Sequence, residues 1–405
     1  MSPRLFRQER MWHTRELRSA YDVVIVGAGA HGLAAAYYLG KNHGVRSVAV
    51  VDKSYPGAGA SGRNTAILRS NYRTAEGIPF YDASLKLYEG LSTELGLNVM
   101  FSQRGHLTLA HTDSSLTGLR VRAENNQMLG VDSRIVEPNE IRRLAPALNL
   151  SRDARFPIVG ALYHPPGGVI RHDAVVWGYA QACDRMGIEI HPFTTVTGID
   201  LDSGKVRGVR TDRGNIAAGA VLNATAGWAS TISTMAGIAL PIVTHPLQAC
   251  VSEPLKPFLD PVIVSATLHV YLSQTDKGEL VIGAEIDGYQ SYSMKGTLPT
   301  LEQMAIYTVE LFPQLHSVRV LRQWAGICDM TPDYAPIMGR AAALDNFYMD
   351  VGWGTYGFKA SPIAGKTMAE LISTGRTPAL IEPFSPDRFR TGHLVGEKAA
   401  AAVSH

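Results

Sequence analysis

Residues 21–53 read YDVVIVGAGAHGLAAAYYLGKNHGVRSVAVVDK, and this stretch decides the fold. Residues 23–26 are a short apolar run of β-branched side chains, the pattern of a parallel strand buried on both faces. Gly27, Gly29 and Gly32 then supply G-x-G-x-x-G, residues 33–39 continue as a helix of small and apolar residues, and a second strand, 47–51, ends at Asp52. Each part has a physical task. Gly27 permits a tight turn, Gly29 lets backbone amides approach a pyrophosphate, and Gly32 lets the helix lie close to the sheet. The helix start, with Ala30 and His31 in it, faces the anionic diphosphate. The Asp52 carboxylate accepts hydrogen bonds from ribose hydroxyls, with Lys53 beside it. A lone glycine motif would say little. Strand, helix, second strand and terminal acid in register predict a dinucleotide site in a Rossmann-like α/β domain, α+β for the chain as a whole.

The next segment, GAGASGRNTAILR at 57–69, follows the acid by a few positions. Its small residues can wrap a second stretch of backbone round a bulky cofactor, which favours FAD over NAD. Ser61, Gly62, Arg63, Asn64 and Thr65 lie in it as candidate contacts.

The rest of the composition excludes more than it assigns. The chain has 405 residues, two or three domains' worth, and a formal net charge of +2, too balanced for a default nucleic-acid binder. Charged residues make up 18%, against a typical fraction of about 25%, so much of the surface is expected to face something other than water. Cys183, Cys250 and Cys328 form no CxxC pair, which argues against a disulfide framework or a metal site and for a reducing cytoplasm. No apolar signal core precedes the first strand. Residues 214–252 carry no Lys, Arg, Asp or Glu, yet Asn, Thr, Ser, Gly and Pro interrupt them too often for a membrane span.

Four blocks, VIVGAGAHG at 24–32, GASGRNTAILRS at 59–70, ATAGWAS at 224–230 and VGWGTYGFKASPIAGKTMAEL at 351–371, resemble the flavin-dependent amine and amino-acid oxidases of the D-amino-acid oxidase type. Within that group the chain is most similar to the beta subunits of heterotetrameric sarcosine oxidases. Two features carry this. One is the arm at 1–19 with Arg4, Arg7, Arg10, Arg15 and Arg18; the other is GGVIRHDAVVWGYAQAC at 167–183. The resemblance implies noncovalent FAD, an FMN attached covalently to His172, and alpha, gamma and delta partner subunits that bring NAD and tetrahydrofolate. It implies that sarcosine is demethylated at FAD, with electrons passing to FMN and oxygen.

The same resemblance assigns residues. Arg69 matches the arginine that holds the substrate carboxylate, with Arg63 and Arg73 as competitors in the same stretch. Lys359 matches the lysine over the flavin ring, within a glycine-rich turn that also brings Gly354, Thr355, Gly357 and Phe358 and precedes a helix at 362–371. Val196 matches the strand beside the adenine, and Ala226, Gly227 and Trp228 the turn that closes the FAD site. His269 and Tyr271 lie in a strand expected at 269–273, one of them facing the substrate. Asp173 is expected to cap the helix after His172. The FAD-binding domain is expected from 20–90, 150–227 and 325–385, and an antiparallel-sheet substrate domain from 91–149 and 228–324, with strands at 105–110, 262–265 and 279–284 and a tail at 386–405. Two other functions fit the residues: a stand-alone oxidase or dehydrogenase of glycine, proline or dimethylglycine, and a flavin electron-transfer subunit without substrate chemistry.

Overall fold

The structure is a computed structural model that describes residues 11–398. Arg4, Arg7 and Arg10 of the expected arm, and 399–405 of the expected tail, lie outside the described residues. One sheet is built around the strand Ala20–Val26, which pairs in parallel with Val48–Val51 on one side and Gly214–Asn223 on the other. Glu189–His191 and Phe347–Val351 extend it in parallel, and Ile337–Arg340 adds an antiparallel edge. The hairpin of Val196–Asp202 and Lys205–Thr211 joins antiparallel beside Gly214–Asn223. The apolar run at 23–26 has a direct cause. Val23 and Ile25 enter a core shared with the helices Ala30–His43 and Gly357–Thr374, while Val24 and Val26 enter a second core on the opposite face. Both faces are covered, so none of the four positions has water to offer a polar group.

The fingerprint helix begins at Ala30, three residues earlier than its apolar pattern predicts, because the motif glycines themselves form its first turn. Gly27 has φ 112°, and a Cβ there would collide with the carbonyl of Ala224 on the neighbouring strand's exit. The helix lies against Gly357–Thr374 closely enough that a Cβ on Gly365 would overlap Ala34. That second helix also starts earlier than its expected 362, and Pro362 lies inside it. Pro362 has no N–H to give the Phe358 carbonyl. Tyr88 Oη supplies a donor to that carbonyl at 2.5 Å, and Ser84 Oγ donates to the Lys359 carbonyl at 2.7 Å, so the helix continues through the proline.

A second sheet runs in the order Val320–Met330, Val243–Pro254, Glu279–Ile286, Val270–Gln274, Val262–Ser265, His106–Ala110, Gly160–His164, Arg134–Val136. It is mixed rather than wholly antiparallel: Val262–Ser265 pairs in parallel with His106–Ala110. These two strands lie far apart in the chain, so no hairpin dictates their relative direction. The expected strands at 105–110 and 269–273 each start one residue later, since Gly105 (φ 90°) and His269 (φ 50°) adopt left-handed backbone. Gly160–His164 and Val320–Met330 belong to this sheet, although 150–227 and 325–385 are expected on the FAD side. Val320–Met330 bridges the two halves, for its Asp329 accepts amide hydrogen bonds from Gly352 and Gly354 beside the first sheet. Among the described residues no helix is long and apolar enough to cross a membrane.

Candidate active site

A cavity of about 1020 Å³ lies where the two sheets meet. One stretch of its wall is Asp52, Lys53, Val196, Ala226 and Trp228; the glycine turn brings Gly27, Gly29 and His31, and the loop after it Ser61, Arg63, Asn64 and Thr65. A further stretch is Arg69, His269, Tyr271, Gly354, Thr355, Gly357, Phe358 and Lys359. Residues scattered over the sequence thus share one cavity.

The glycine turn is held from several sides. Asp52 accepts from the Ala28 amide and the Ser54 amide, each at 2.8 Å; burial raises its pKa, and those two amides and Lys53 oppose the rise. Ser61 Oγ accepts from the Ala30 amide at 2.9 Å. His31 bonds Asp350 through Nδ1 at 3.1 Å and the Gly357 carbonyl through Nε2 at 2.8 Å. A carboxylate and a carbonyl both accept, so both ring nitrogens donate and the imidazole carries two protons. Burial works against that charge, but the Asp350 carboxylate outweighs it and the pKa of His31 is raised. An imidazolium therefore sits in the first turn of a helix whose start opens on the cavity, which suits a diphosphate. Lys53 lies with Nζ 3.5 Å from the centre of the Trp228 ring.

The opposite stretch is cationic. Arg69 is buried and donates from Nη1 to the carbonyl and side-chain oxygens of Asn71 at 3.0 and 2.9 Å, with its guanidinium against the Tyr72 ring. Lys359 lies in the first turn of its helix rather than in the preceding loop, and its Nζ donates to the Thr355 carbonyl at 3.3 Å. Burial, followed by repulsion from Arg69, lowers its pKa to about 7. Tyr271 is held protonated, its pKa pushed up by burial to about 12. Trp353 Nε1 donates to Asp350 at 2.7 Å, tying this aromatic turn to the His31 side of the cavity.

Several expected residues take other places. His269 is exposed in a turn and pairs with Glu285 at 3.2 Å, so it forms the rim of the cavity while Tyr271 faces inward. Arg63 donates to the Ala58 carbonyl at 3.3 Å, and Arg73, exposed, to the Lys398 carbonyl; of the three arginines Arg69 alone is buried. Asn64 spends its side chain on the backbone of Ser61 and Ala66. Ala30, Gly32, Gly62 and Gly227 do not line the cavity; Gly32 and Gly227 are buried close contacts, against Gly27 and Ile327. His172 also stands outside it, its Nε2 3.2 Å from the carbonyl of Gly62. The helix there starts at His172 itself. Asp173 is no cap, because Arg171 holds its carboxylate at 2.5 Å. Sequence reasoning missed Arg122, His106, Asp329 and Asp350. Asp329, buried, has its pKa raised to about 6 despite the amides it accepts from.

A cavity of this size, a helix start without a side-chain cap and an acid at the ribose position fit FAD, with Asp52, Lys53, Val196, Trp228, Trp353, Phe358 and Lys359 all in the wall. The sequence profile of the FAD dependent oxidoreductase family matches residues 22–371. The chain is 45% identical over 397 residues to the sarcosine oxidase subunit beta of Rhodobacter capsulatus, covering 98% of this chain and 95% of that one. It is 46% identical over 397 residues to the subunit of the same name from Arthrobacter sp, covering 98% of each. Among solved structures, an L-proline dehydrogenase from P. horikoshii superposes with a TM-score of 0.87 at 30% identity, over 93% of this chain and 100% of that one. A glycine oxidase from Geobacillus kaustophilus, at 22% identity and a TM-score of 0.83 over 92% of this chain and 99% of its own, shares the fold. Profile, full-length relatives and cavity agree: the chain belongs to the FAD dependent oxidoreductase family.

Proposed function

We propose that the chain is the sarcosine-oxidising subunit of a hetero-oligomeric, cytoplasmic oxidase. It demethylates N-methylglycine at FAD, passes the electrons to an FMN carried covalently by His172 and on to oxygen, and yields glycine, hydrogen peroxide and formaldehyde. Alpha, gamma and delta subunits complete the complex and hold NAD and tetrahydrofolate, which takes up the one-carbon unit as 5,10-methylenetetrahydrofolate. The observation that carries this reading is the buried Arg69 beside Lys359 in a cavity with the features of an FAD site. Arg69 offers a planar fork to the substrate carboxylate. That fixes the amine a few ångströms away, against the Tyr271 and Phe358 wall. Lys359, with a pKa of about 7, holds or releases a proton at Nζ near neutral pH. FAD, when bound, supplies the acceptor for the pair of electrons that leaves the N-methyl group.

His172 lies on the far side of the Ala60–Gly62 turn from the cavity, while Ser61 of the same turn touches the fingerprint helix. On this reading one short turn stands between the two flavins, which supports electron transfer from FAD to an FMN on His172. Burial lowers the pKa of His172, so its imidazole is neutral and nucleophilic at pH 7. Acid-precipitated wild-type complex is expected to stay yellow, with flavin on the beta chain by mass. His172→Ala should release all flavin into the supernatant; a colourless wild-type precipitate rejects the attachment.

A second reading rests on the structural similarity to L-proline dehydrogenase: a stand-alone dehydrogenase of another secondary amino acid. Anaerobic titration of the purified complex decides between them. Sarcosine is expected to bleach the bound flavin, with proline at least about tenfold less effective, the discrimination that pocket contacts of this size supply. Bleaching by proline alone supports the second reading, and no bleaching by either leaves the electron-transfer role.

A further inference from the structure

Arg122 belongs to the helix Asp113–Met128, is 6% exposed, and lines the same cavity as Arg69. Its Nε donates to the Asn71 carbonyl at 2.8 Å and its Nη2 to Asn71 Oδ1 at 3.1 Å, as well as to the carbonyl. Arg69 bonds the same two oxygens. Two guanidiniums therefore converge on one neutral residue. Among the described residues every hydrogen bond of the Arg122 guanidinium goes to Asn71 and none to a carboxylate. Burial and the neighbouring Arg69 charge bring its pKa down to about 9. Around it, Asn71 Nδ2, His106 Nδ1 and Thr108 Oγ1 are buried without a hydrogen-bond partner among the described residues. His106 and Thr108 lie on one face of the strand His106–Ala110 and both line the cavity.

The buried Glu397 carboxylate opposes the fall in the Arg122 pKa, but it is spent on the Arg73 and Thr74 amides and on Thr74 Oγ1. A buried cation that bonds no carboxylate, next to a second cation, is a costly arrangement, and unpaired polar atoms add to the cost. A carboxylate held by Arg69 relieves only part of it. A second acidic group beside Arg122 relieves the rest and gives the open donors something to bind. Gly118 and Leu119 of the same helix and the exposed turn at Ala266 and Thr267 also line this cavity.

We infer that Arg122 anchors a second carboxylate subsite beside that of Arg69, so that the cavity takes ligands with two carboxylates in preference to those with one. The inference rests on the reading of Arg69 as the first carboxylate anchor. It is tested on the holo complex by titrating acetate and malonate at constant ionic strength and following flavin absorbance. Malonate is expected to bind at least about tenfold more tightly than acetate, as a second charge-assisted contact requires. Arg122→Gln should reduce that ratio to near one, and Arg122→Lys should leave it intermediate. The readout is a ratio, so a general loosening of Arg69 does not imitate it. Calorimetry then tells one bridging dianion from two independent sites: one malonate per chain with a single acetate, against two acetates per chain; both stoichiometries support the subsite if Arg122→Gln removes one carboxylate. Equal binding of malonate and acetate by wild type, with one acetate per chain, overturns the inference without needing any variant. So does a malonate preference that survives Arg122→Gln. A complex that prefers malonate yet is not bleached by sarcosine keeps the subsite and loses the proposed function.

Discussion

Arg69→Ala is expected to raise the KM for sarcosine by about 100- to 1,000-fold while the protein still holds its flavin. The magnitude follows from the geometry. On the proposed reading the buried guanidinium offers a fork to the substrate carboxylate, and each charge-assisted hydrogen bond contributes about 1.5–3 kcal/mol, with about 1.4 kcal/mol per tenfold. Loss of two such bonds at the weaker end of that span, about 3–4 kcal/mol together, gives the stated range. Arg69 also shares Asn71 with Arg122 and stacks on Tyr72, so the substitution opens space in the Tyr72, Tyr81 and Tyr356 cluster, where Tyr72 and Tyr81 stack at 3.6 Å. Arg69→Lys, which keeps the charge and most of the volume, serves as the control for folding and should recover part of the loss. The measurement is steady-state kinetics with flavin content determined in parallel. A KM within about threefold of wild type in a flavin-replete variant would move the carboxylate anchor elsewhere, with Arg122 the nearest candidate.

The elements that local rules govern are the ones legible in the sequence. The strand–turn–helix at 20–43 follows from an apolar run and three glycines; a Cβ on Gly27 would meet the Ala224 carbonyl and one on Gly32 the Gly27 carbonyl. Asp52 and Lys53 also reach the cavity from a segment that motif spacing identifies, and Val196 and Lys359 from segments that the family resemblance identifies. What sequence reasoning missed depends on long-range packing. Arg122 sits in a polar helix and looks like any solvated arginine; it is buried because Asn71, 51 residues away, presents two oxygens to it. His106 lies in a strand whose five residues are all buried, so alternation gave no sign of which face meets the cavity. Pro362 reads as a helix boundary until Tyr88 and Ser84 take up the unbonded carbonyls. His269 follows an apolar alternation but occupies a left-handed turn, which moves it to the rim. The same logic bears on the uncharged run 214–252: it passes from a central strand of one sheet through the turn at Ala226–Trp228 into a strand of the other, with 221–224 buried in the first and most of 244–250 in the second.

Lys359→Met is expected to lower turnover with sarcosine by about 100-fold, the scale of one positioned proton-transfer group, and to abolish a pH dependence of anion binding that the wild type shows. The sign follows from its lowered pKa. Below pH 7 the ammonium is present and adds positive charge beside Arg69; above pH 7 the amine is neutral and the site loses that charge. Acetate affinity of the holo complex should therefore fall as pH rises from about 6 to 8, by about fivefold if acetate raises the pKa of Lys359 by one unit. Turnover should change in the opposite sense over the same interval, since the neutral amine is the form able to accept a proton. Arg122, with a pKa of about 9, and Tyr271, at about 12, titrate above this window, and His164, at about 3, below it. Asp329, at about 6, lies at its lower edge and faces the Gly352 and Gly354 amides; a residual slope confined to pH below 6.5 in Lys359→Met would belong to it. Flavin absorbance reads acetate binding without involving the substrate amine, whose own titration confuses kcat/KM. A flat acetate profile in the wild type would mean that Lys359 keeps its proton throughout, and the two opposed trends are linked: a site that binds anions best when Lys359 is charged can accept a proton there only after that charge has gone.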